Sequence, residues 1–431
     1  MLVETPDLRY LARQDLKRAL KLTEALPADW TKINPLSNAA KTMQVFGEDP
    51  APQVEQLLKL STLMDDNPHY AGIIFRDIAE IFSRQGRFNE SFQMMRKVPP
   101  KSVWGTFHTY LQIMEDQAAQ GENYNKALKK ASRAVYEEYG KRHQASGTTL
   151  IAKSLYRIDQ DPQPTLSRAF RQARQDRQNK GYAFERVAEA YAYCGFLDQA
   201  KRTIILIDDV EHQNVAWEFI ARNEIKKGRF TDVFQTVPRI SEGRITAELW
   251  AEGAVASADK KPDLARKMLD LSAISERQFL KKIKGEQFEG SYTSKLAKAY
   301  ALRAWAKMKF GEKANNVFSG AKEKAALGDS EDQAEVFLHI AGIEFQAGFD
   351  PSSTLKLAQS AAEEIIKQAS PEGDWVDVAY GMIALEDTAM RMIELDCFDL
   401  VPPVVDHFED TDSTKVEILL ELAKGRYLCP Q

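Results

Sequence analysis

The chain of 431 residues contains little cysteine and no long apolar run. Its three cysteines, Cys194, Cys397 and Cys429, are odd in number and far apart, which argues against a disulfide framework and favours reduced thiols. No window approaches the ~18 uninterrupted apolar residues of a membrane-spanning helix. The charged N-terminal segment also lacks the apolar core of a secretory signal. We therefore expect a cytoplasmic protein that does not enter a membrane.

Motifs that carry chemistry are missing as well. The six histidines are well separated, and neither HxxxH nor CxxC spacing occurs, so we expect no metal site. No phosphate-binding GxxxxGK[ST] motif, dinucleotide glycine fingerprint or GxSxG motif is present, so we expect no cofactor. Adjacent acids such as Glu363 and Glu364 point about 100° apart on a helix and read as solvated surface. The chain is therefore predicted not to be an enzyme, although distant residues can still assemble a catalytic site.

Linker-like segments are also scarce. Glycine and proline together make 39 of 431 residues (22 and 17), and they form no cluster typical of an interdomain linker. A chain of this length is too long for one ordinary hydrophobic core. An elongated array of repeats therefore fits better than separate domains.

What the sequence does contain is an internal repeat. Helical stretches are interrupted at Gly195, Gly228 and Lys261, which are 33 residues apart each time, and glycine is the residue that most readily ends a helix with a positive φ. Related breaks give ten helix-turn-helix repeats that cover almost the whole chain. The other seven breaks lie at Gly47, Gly86, Gly121, near Asp159, at Gly311, at Gly348 and near Asp396.

Two positions before each break strengthen the repeat. Eleven residues before the break, seven of the ten repeats carry an aromatic residue: Phe75, Tyr110, Phe184, Trp217, Trp250, Tyr300 and Phe337. Seven residues before it, six repeats carry alanine: Ala79, Ala188, Ala221, Ala254, Ala304 and Ala341. A small residue lets two helices approach closely, and an aromatic ring fills the space beside it.

An aromatic residue, alanine four residues later and glycine seven residues after that resemble the first half of the tetratricopeptide repeat signature. The second half matches at Ala200 but carries Ser91 and Val233 at the equivalent place, and the closing proline is missing. The resemblance implies an all-α fold, a right-handed α-solenoid of about ten repeats over residues 36–410. Capping helices are expected within residues 1–35 and 411–431. A more irregular α-solenoid remains an alternative.

Two spacings are longer than the others. Fifty residues separate Lys261 from Gly311 and 48 separate Gly348 from Asp396, and the surplus lies near residues 275–295 and 370–376. In a solenoid, surplus length becomes a lengthened helix or a protruding loop, and loops often carry function. A functionally neutral insertion is the alternative.

The family resemblance also implies a groove lined by the first helix of each repeat, at positions 13, 10, 6 and 3 before the break. In the late repeats these positions become apolar at Trp305, Met308, Leu338 and Phe345. An apolar strip in a groove suits a partner peptide or an amphipathic helix. These four residues are therefore predicted to bind a protein partner. The alternatives are that they pack against the next repeat or that the register is off by one residue.

Charge is unevenly distributed. Residues 124–180 hold 13 Lys and Arg against 5 Asp and Glu, a balance of +8, whereas residues 329–431 hold 6 against 22, or −16. Arg168, Arg171, Arg174 and Arg177 recur every three residues and predict a basic ridge on one helix. A nucleic acid is the more specific hypothesis for the partner of this basic face. No aromatic residues alternate with the arginines to stack bases, however. Solvated helix faces that vary in charge would give the same pattern.

The favoured function is thus a non-catalytic scaffold or adaptor that binds a protein or peptide in its groove. The alternative is a nucleic-acid-associated helical-repeat protein that uses the basic face of residues 124–180.

Overall fold

The computed structural model describes residues 8–64, 66–100, 102, 105–140, 143–312, 318–368 and 375–429. These residues form α-helices, joined by turns and three short 3-10 helices, and contain no β-strand. The first twelve helices are α1 (Leu8–Ala25), α2 (Ile33–Val45), α3 (Ala51–Leu63), α4 (Pro68–Arg84), α5 (Phe88–Lys97), α6 (Thr106–Ala119), α7 (Asn125–Glu138), α8 (Gln144–Arg157), α9 (Gln163–Gln175), α10 (Lys180–Tyr193), α11 (Leu197–Ile204) and α12 (Val210–Lys226). The others are α13 (Phe230–Thr236), α14 (Gly243–Ser257), α15 (Pro262–Ile283), α16 (Glu289–Ser294), α17 (Ala297–Lys309), α18 (Ser319–Ala325), α19 (Ser330–Gln346), α20 (Ser352–Gln368), α21 (Trp375–Glu394), α22 (Val401–Val405) and α23 (Ser413–Leu428).

The predicted breaks coincide with a recurrent backbone turn. Nine of the ten break residues have a positive φ, from 55° at Asp159 to 91° at Gly195, and only Lys261 does not. The residue after the break donates its N–H to the carbonyl five residues back, for example Arg87 to Phe82 at 2.9 Å and Phe196 to Tyr191 at 2.8 Å. This bond satisfies a carbonyl that the end of the helix would leave free. The all-α helical-repeat fold predicted from the sequence is therefore confirmed over the described residues.

The chain divides into two compact units. Unit 1 comprises residues 1–216 and 408–431, and unit 2 comprises residues 217–407. In unit 1, the first and second helices of each repeat pack as pairs, and the first helices α2, α4, α6, α8 and α10 pack in succession. The helices predicted at the two ends of the chain, α1 and α23, also pack against each other in this unit.

Specific contacts hold α23 in unit 1. Nη1 of Arg426 lies 2.6 Å from Oδ2 of Asp15 on α1, and both side chains are mostly buried. The ring of Tyr427 stacks on Phe46, with 4.2 Å between their centroids. The final helix therefore covers apolar surface of α1 and α2.

In unit 2, the first helices α14, α17, α19 and α21 pack in succession. Ala221, Ala254 and Ala341 are fully buried, as expected for the alanine position, and Trp250 and Phe337 fill the space beside them. The surplus before Gly311 is taken up by α15, which is 22 residues long, and by the short helix α16. Most of the second surplus, residues 370–374, lies outside the described residues.

No helix among the described residues has both the length and the apolar character needed to cross a membrane.

Candidate functional site

The position six residues before each break is charged throughout the first five repeats. Lys41, Glu80, Glu115, Lys153 and Glu189 occupy it, and consecutive repeats pair these charges. Nζ of Lys41 lies 3.0 Å from Glu80, and Nζ of Lys153 lies 2.7 Å from Glu189. The first-helix face of unit 1 is thus an ion-pair ladder whose charges are satisfied internally.

In unit 2 the same position opens a cavity. Arg222, Val255, Trp305 and Gly342 stand six residues before four consecutive breaks, and all four line one cavity of about 430 Å³, here called the Trp305 cavity. Its apolar wall also contains Ile225, Leu302 and Ile343. Four equivalent positions therefore converge on one depression between α12, α14, α17, α19 and α21.

Trp305 is the largest apolar side chain of this cavity. Its half-buried ring packs partly against the core of unit 2, and Nζ of Lys309 lies 5.9 Å from its centroid. By contrast, Trp250 of the preceding repeat is only 4% exposed. Trp305 therefore keeps surface on which a ligand can pack.

A network of charged groups forms the polar wall. Arg222 donates to Glu218 at 2.9 Å, to Glu248 at 2.6 Å and to Glu252, and Lys298 donates to Glu248 at 2.6 Å. Burial favours the neutral form of Glu248, but the charges of Lys298 and Arg222 outweigh it and lower the pKa of this carboxyl to about 2. Burial and repulsion by Glu248 raise the pKa of Glu252. The network fixes the cations of Arg222 and Lys298 in place.

Arg391 reaches the cavity from α21. Its Nε donates to the carbonyl oxygen of Leu338 at 3.4 Å, and its Nη1 lies 2.6 Å from Oε2 of Glu394. Gly342 leaves the space that this guanidinium occupies, because a Cβ on Gly342 would lie 3.0 Å from Cζ of Arg391 and overlap Nη2. A side chain from one repeat thus crosses the first helix of the previous one.

The structure does not bring all four predicted partner-binding residues together. Met308 lines a different cavity of about 620 Å³, here called the Tyr300 cavity, which does not include Trp305. On α19 the Trp305 cavity is lined by His339, Gly342, Ile343 and Gln346 but not by Leu338 or Phe345. On α19, the lining residues His339 and Gln346 each follow the predicted Leu338 and Phe345 by one residue.

Packing between consecutive first helices explains why some of the predicted groove positions do not line the Trp305 cavity. The positions ten and three residues before the break are mostly buried in the early repeats, as at Glu185 and Ala192. Six residues before the break, Arg222 and Trp305 are half-buried in the repeats that form the Trp305 cavity, whereas Val255 and Gly342 are buried. Phe345, three residues before its break, is 39% exposed, and Leu338 is half-buried against the core.

The Tyr300 cavity contains a second polar cluster, whose residues were not predicted from sequence motifs. The hydroxyl of Tyr300 and the guanidinium of Arg303 both donate to the carboxylate of Glu276. Burial and the hydrogen bond to Glu276 raise the pKa of Tyr300 to about 12. Glu276 lies in the part of α15 that the surplus length creates, so only the long spacing before Gly311 pointed to this region.

The predicted basic ridge is only partly on one helix. Helix α9 ends at Gln175, so Arg177 lies beyond it, and Arg168 is half-buried. Arg171 and Arg174 are exposed on α9 and form no ion pair with the described residues. The basic surface thus reduces to Arg171, Arg174 and the neighbouring Arg177, together with exposed lysines of α7 such as Lys129 and Lys130.

Within the described ranges, no three His, Cys, Asp or Glu side chains come together as metal ligands would.

No protein-family model matches this sequence, and no curated protein matches it. Among solved structures, the chain is similar to Ton1535 from Thermococcus onnurineus NA1, with 15% identity, 81% of this chain and 98% of that chain covered and a TM-score of 0.31. It is also similar to the human IFIT1 dimer with m7Gppp-AAAA, with 14% identity, coverage of 94% and 92% and a TM-score of 0.29. A circular tandem repeat protein gives 11% identity, coverage of 96% and 97% and a TM-score of 0.27.

Proposed function

We propose that the chain is a non-catalytic, tetratricopeptide-like adaptor that works in the cytoplasm and binds a partner peptide or helix in the Trp305 cavity. The observation that carries this proposal is the change at one repeat position. The residue six before the break is charged and paired through unit 1, but it becomes Val255, Trp305 and Gly342 around an open cavity in unit 2.

The chemistry of the cavity supports a peptide ligand. A half-exposed tryptophan among aliphatic side chains is the type of group that dominates the energy of peptide interfaces. The surrounding Arg222 network holds the cavity wall rigid, which lowers the entropic cost of binding. The volume of about 430 Å³ accommodates one or two large side chains rather than a whole domain.

Selection of peptides tests the proposal directly. A library of random 12-residue peptides displayed on phage is panned on the wild-type chain, and the enriched peptides are synthesised and titrated. We expect the enriched peptides to contain a large apolar residue and to bind Trp305→Ala about tenfold more weakly or worse. If no peptide is enriched, or if Trp305→Ala binds the peptides as well as wild type does, the proposal is wrong.

A second candidate function has its own support. The exposed Arg171 and Arg174 of α9 have no acidic partner among the described residues, and Lys129 and Lys130 are exposed on the preceding second helix, α7. Unpaired cations on an outer helix face suit a phosphate backbone. This basic face is therefore proposed as the alternative site, for RNA or DNA.

A further inference from the structure

The Trp305 cavity has more cationic than anionic groups in its wall. Among the described residues that line it, Glu252 is the only carboxylate. The cations of Arg222 and Lys298 are already paired with Glu218, Glu248 and Glu252. Two further cations line the same cavity. Lys226 is exposed and forms no ion pair with the described residues, and Arg391 is paired only with Glu394.

Arg391 retains hydrogen-bonding capacity. Its Nε and Nη1 are used by the Leu338 carbonyl and by Glu394, whereas Nη2 forms no hydrogen bond with any described residue. The side chain of Glu394 is 62% exposed, so this ion pair is weak and easily exchanged. A guanidinium in this state can bind a carboxylate through two parallel N–H donors.

Gly342 makes this placement possible. It lies inside α19, where glycine stabilises the helix less than alanine would. Any larger side chain at this position would overlap Nη2 of Arg391. The glycine at position 342 therefore leaves room for the guanidinium of Arg391 at the cavity wall.

We propose that the partner peptide carries an aspartate or glutamate beside its apolar anchor, and that Arg391 recognises this carboxylate while the anchor packs on Trp305. This inference rests on the proposed function and specifies its ligand. Lys226 adds a second positive charge on the same cavity, and Gly342 acts as a positioning residue for Arg391. The apolar wall of Ile225, Leu302 and Ile343 favours such a peptide over a nucleic acid phosphate.

The enriched phage peptides also test this inference. We expect Asp or Glu to be enriched within two residues of the apolar anchor. The acidic peptide and a copy with Asn or Gln in place of its acid are titrated against wild type, Arg391→Gln and Arg277→Gln. Arg277→Gln is the control, because it removes the same charge from a residue that lines the Tyr300 cavity instead. Arg391→Gln should weaken the acidic peptide by about tenfold and the amide copy by less than about twofold.

The outcomes separate the two proposals. Peptides that need Trp305 but show no acidic preference would overturn this inference and leave the proposed function standing. An equal effect of Arg391→Gln and Arg277→Gln would also overturn it. If no enriched peptide depends on Trp305, the proposed function and the inference both fail. In a competition assay, a single-stranded oligonucleotide could displace the bound peptide as well as the free acidic peptide does. That result would indicate a phosphate ligand instead of a peptide carboxylate and would overturn the inference.

The variant Gly342→Ala tests the positioning role. The added methyl group should displace the guanidinium and weaken the acidic peptide selectively, so that the two peptides bind this variant with nearly equal affinity. A general structural defect would weaken both peptides alike, and that result would contradict the role of Gly342.

Discussion

Trp305 and Met308 lie three residues apart on α17 but open into different cavities. Trp305 lines the cavity formed with α12, α14, α19 and α21, whereas Met308 lines the Tyr300 cavity with residues of α15 and α18. A helix turns 100° per residue, so a separation of three residues is enough to place two side chains on either side of a packing ridge.

This difference predicts unequal effects of alanine substitution. Trp305→Ala should weaken the selected peptides by about tenfold, whereas Met308→Ala should leave their affinity within about twofold. The free energy of unfolding, measured with urea, should fall less for Trp305→Ala than for Trp250→Ala, which removes a fully packed ring and should cost about 3–5 kcal/mol. A larger loss of stability at Trp305 than at Trp250 would show that Trp305 is mainly a core residue.

The alanine position of the repeat predicts a stability effect. Ala254→Leu should lower the free energy of unfolding by about 1–3 kcal/mol, because the helix pair of that repeat leaves no space for three more carbon atoms. Ala256→Leu, two residues along the same helix at an exposed site, is the control and should change stability by less than about 0.5 kcal/mol. Equal effects of the two substitutions in a urea titration would contradict the assigned repeat.

The lowered pKa of Glu248 predicts that the stability of the folded chain depends on pH. Its pKa in the folded chain, about 2, is below the usual value of 4.5. Its contribution to stability is therefore present above about pH 4.5 and is lost as the pH falls from 4.5 toward 2. Glu248→Gln should cost about 3 kcal/mol at pH 7, and this cost should shrink at pH 4 and below.

Glu252 provides the matched control for the pH experiment, because its pKa is raised rather than lowered. A raised carboxyl pKa favours the folded state at low pH, so the stability lost in Glu252→Gln should decrease as the pH rises above 4.5. Parallel pH profiles of the two variants would contradict the arrangement of the Arg222 network.

The basic face predicts a salt-dependent interaction. If it binds a nucleic acid, a 20-nucleotide single-stranded RNA should bind at low salt and dissociate steeply as salt increases. Arg171→Glu with Arg174→Glu should abolish binding, whereas the same reversal at the exposed Arg13 and Lys17 of α1 should change it little. Failure of the wild type to bind either single-stranded or duplex RNA and DNA would remove this candidate.

The fold could be predicted from the sequence because each repeat leaves a local mark. Glycine or aspartate at the break has a positive φ, and the alanine and aromatic positions are set by the spacing of two packed helices. Lys261 lacks the left-handed turn but still falls between α14 and α15, since the helix pattern around it is intact. Local patterns of this kind do not depend on distant parts of the chain.

The candidate site was less predictable because it depends on how consecutive repeats are packed. Trp305 lines the Trp305 cavity, whereas Leu338 and Phe345 each lie one residue before a lining residue of α19, His339 and Gln346. Arg391 was missed because it enters the cavity from the next repeat. The only sequence signal for it was Gly342, a glycine in the middle of an otherwise strong helix.

Cross-linking tests the central claim most directly. A selected peptide is synthesised with benzoylphenylalanine in place of its apolar anchor and is irradiated with the wild-type chain, and the attachment site is mapped by mass spectrometry. The proposed function predicts cross-links to the walls of the Trp305 cavity, at Trp305, Leu302 or Ile343. Attachment to Met308 or Tyr300 in the other cavity, or to α9 and α7 on the basic face, would contradict it.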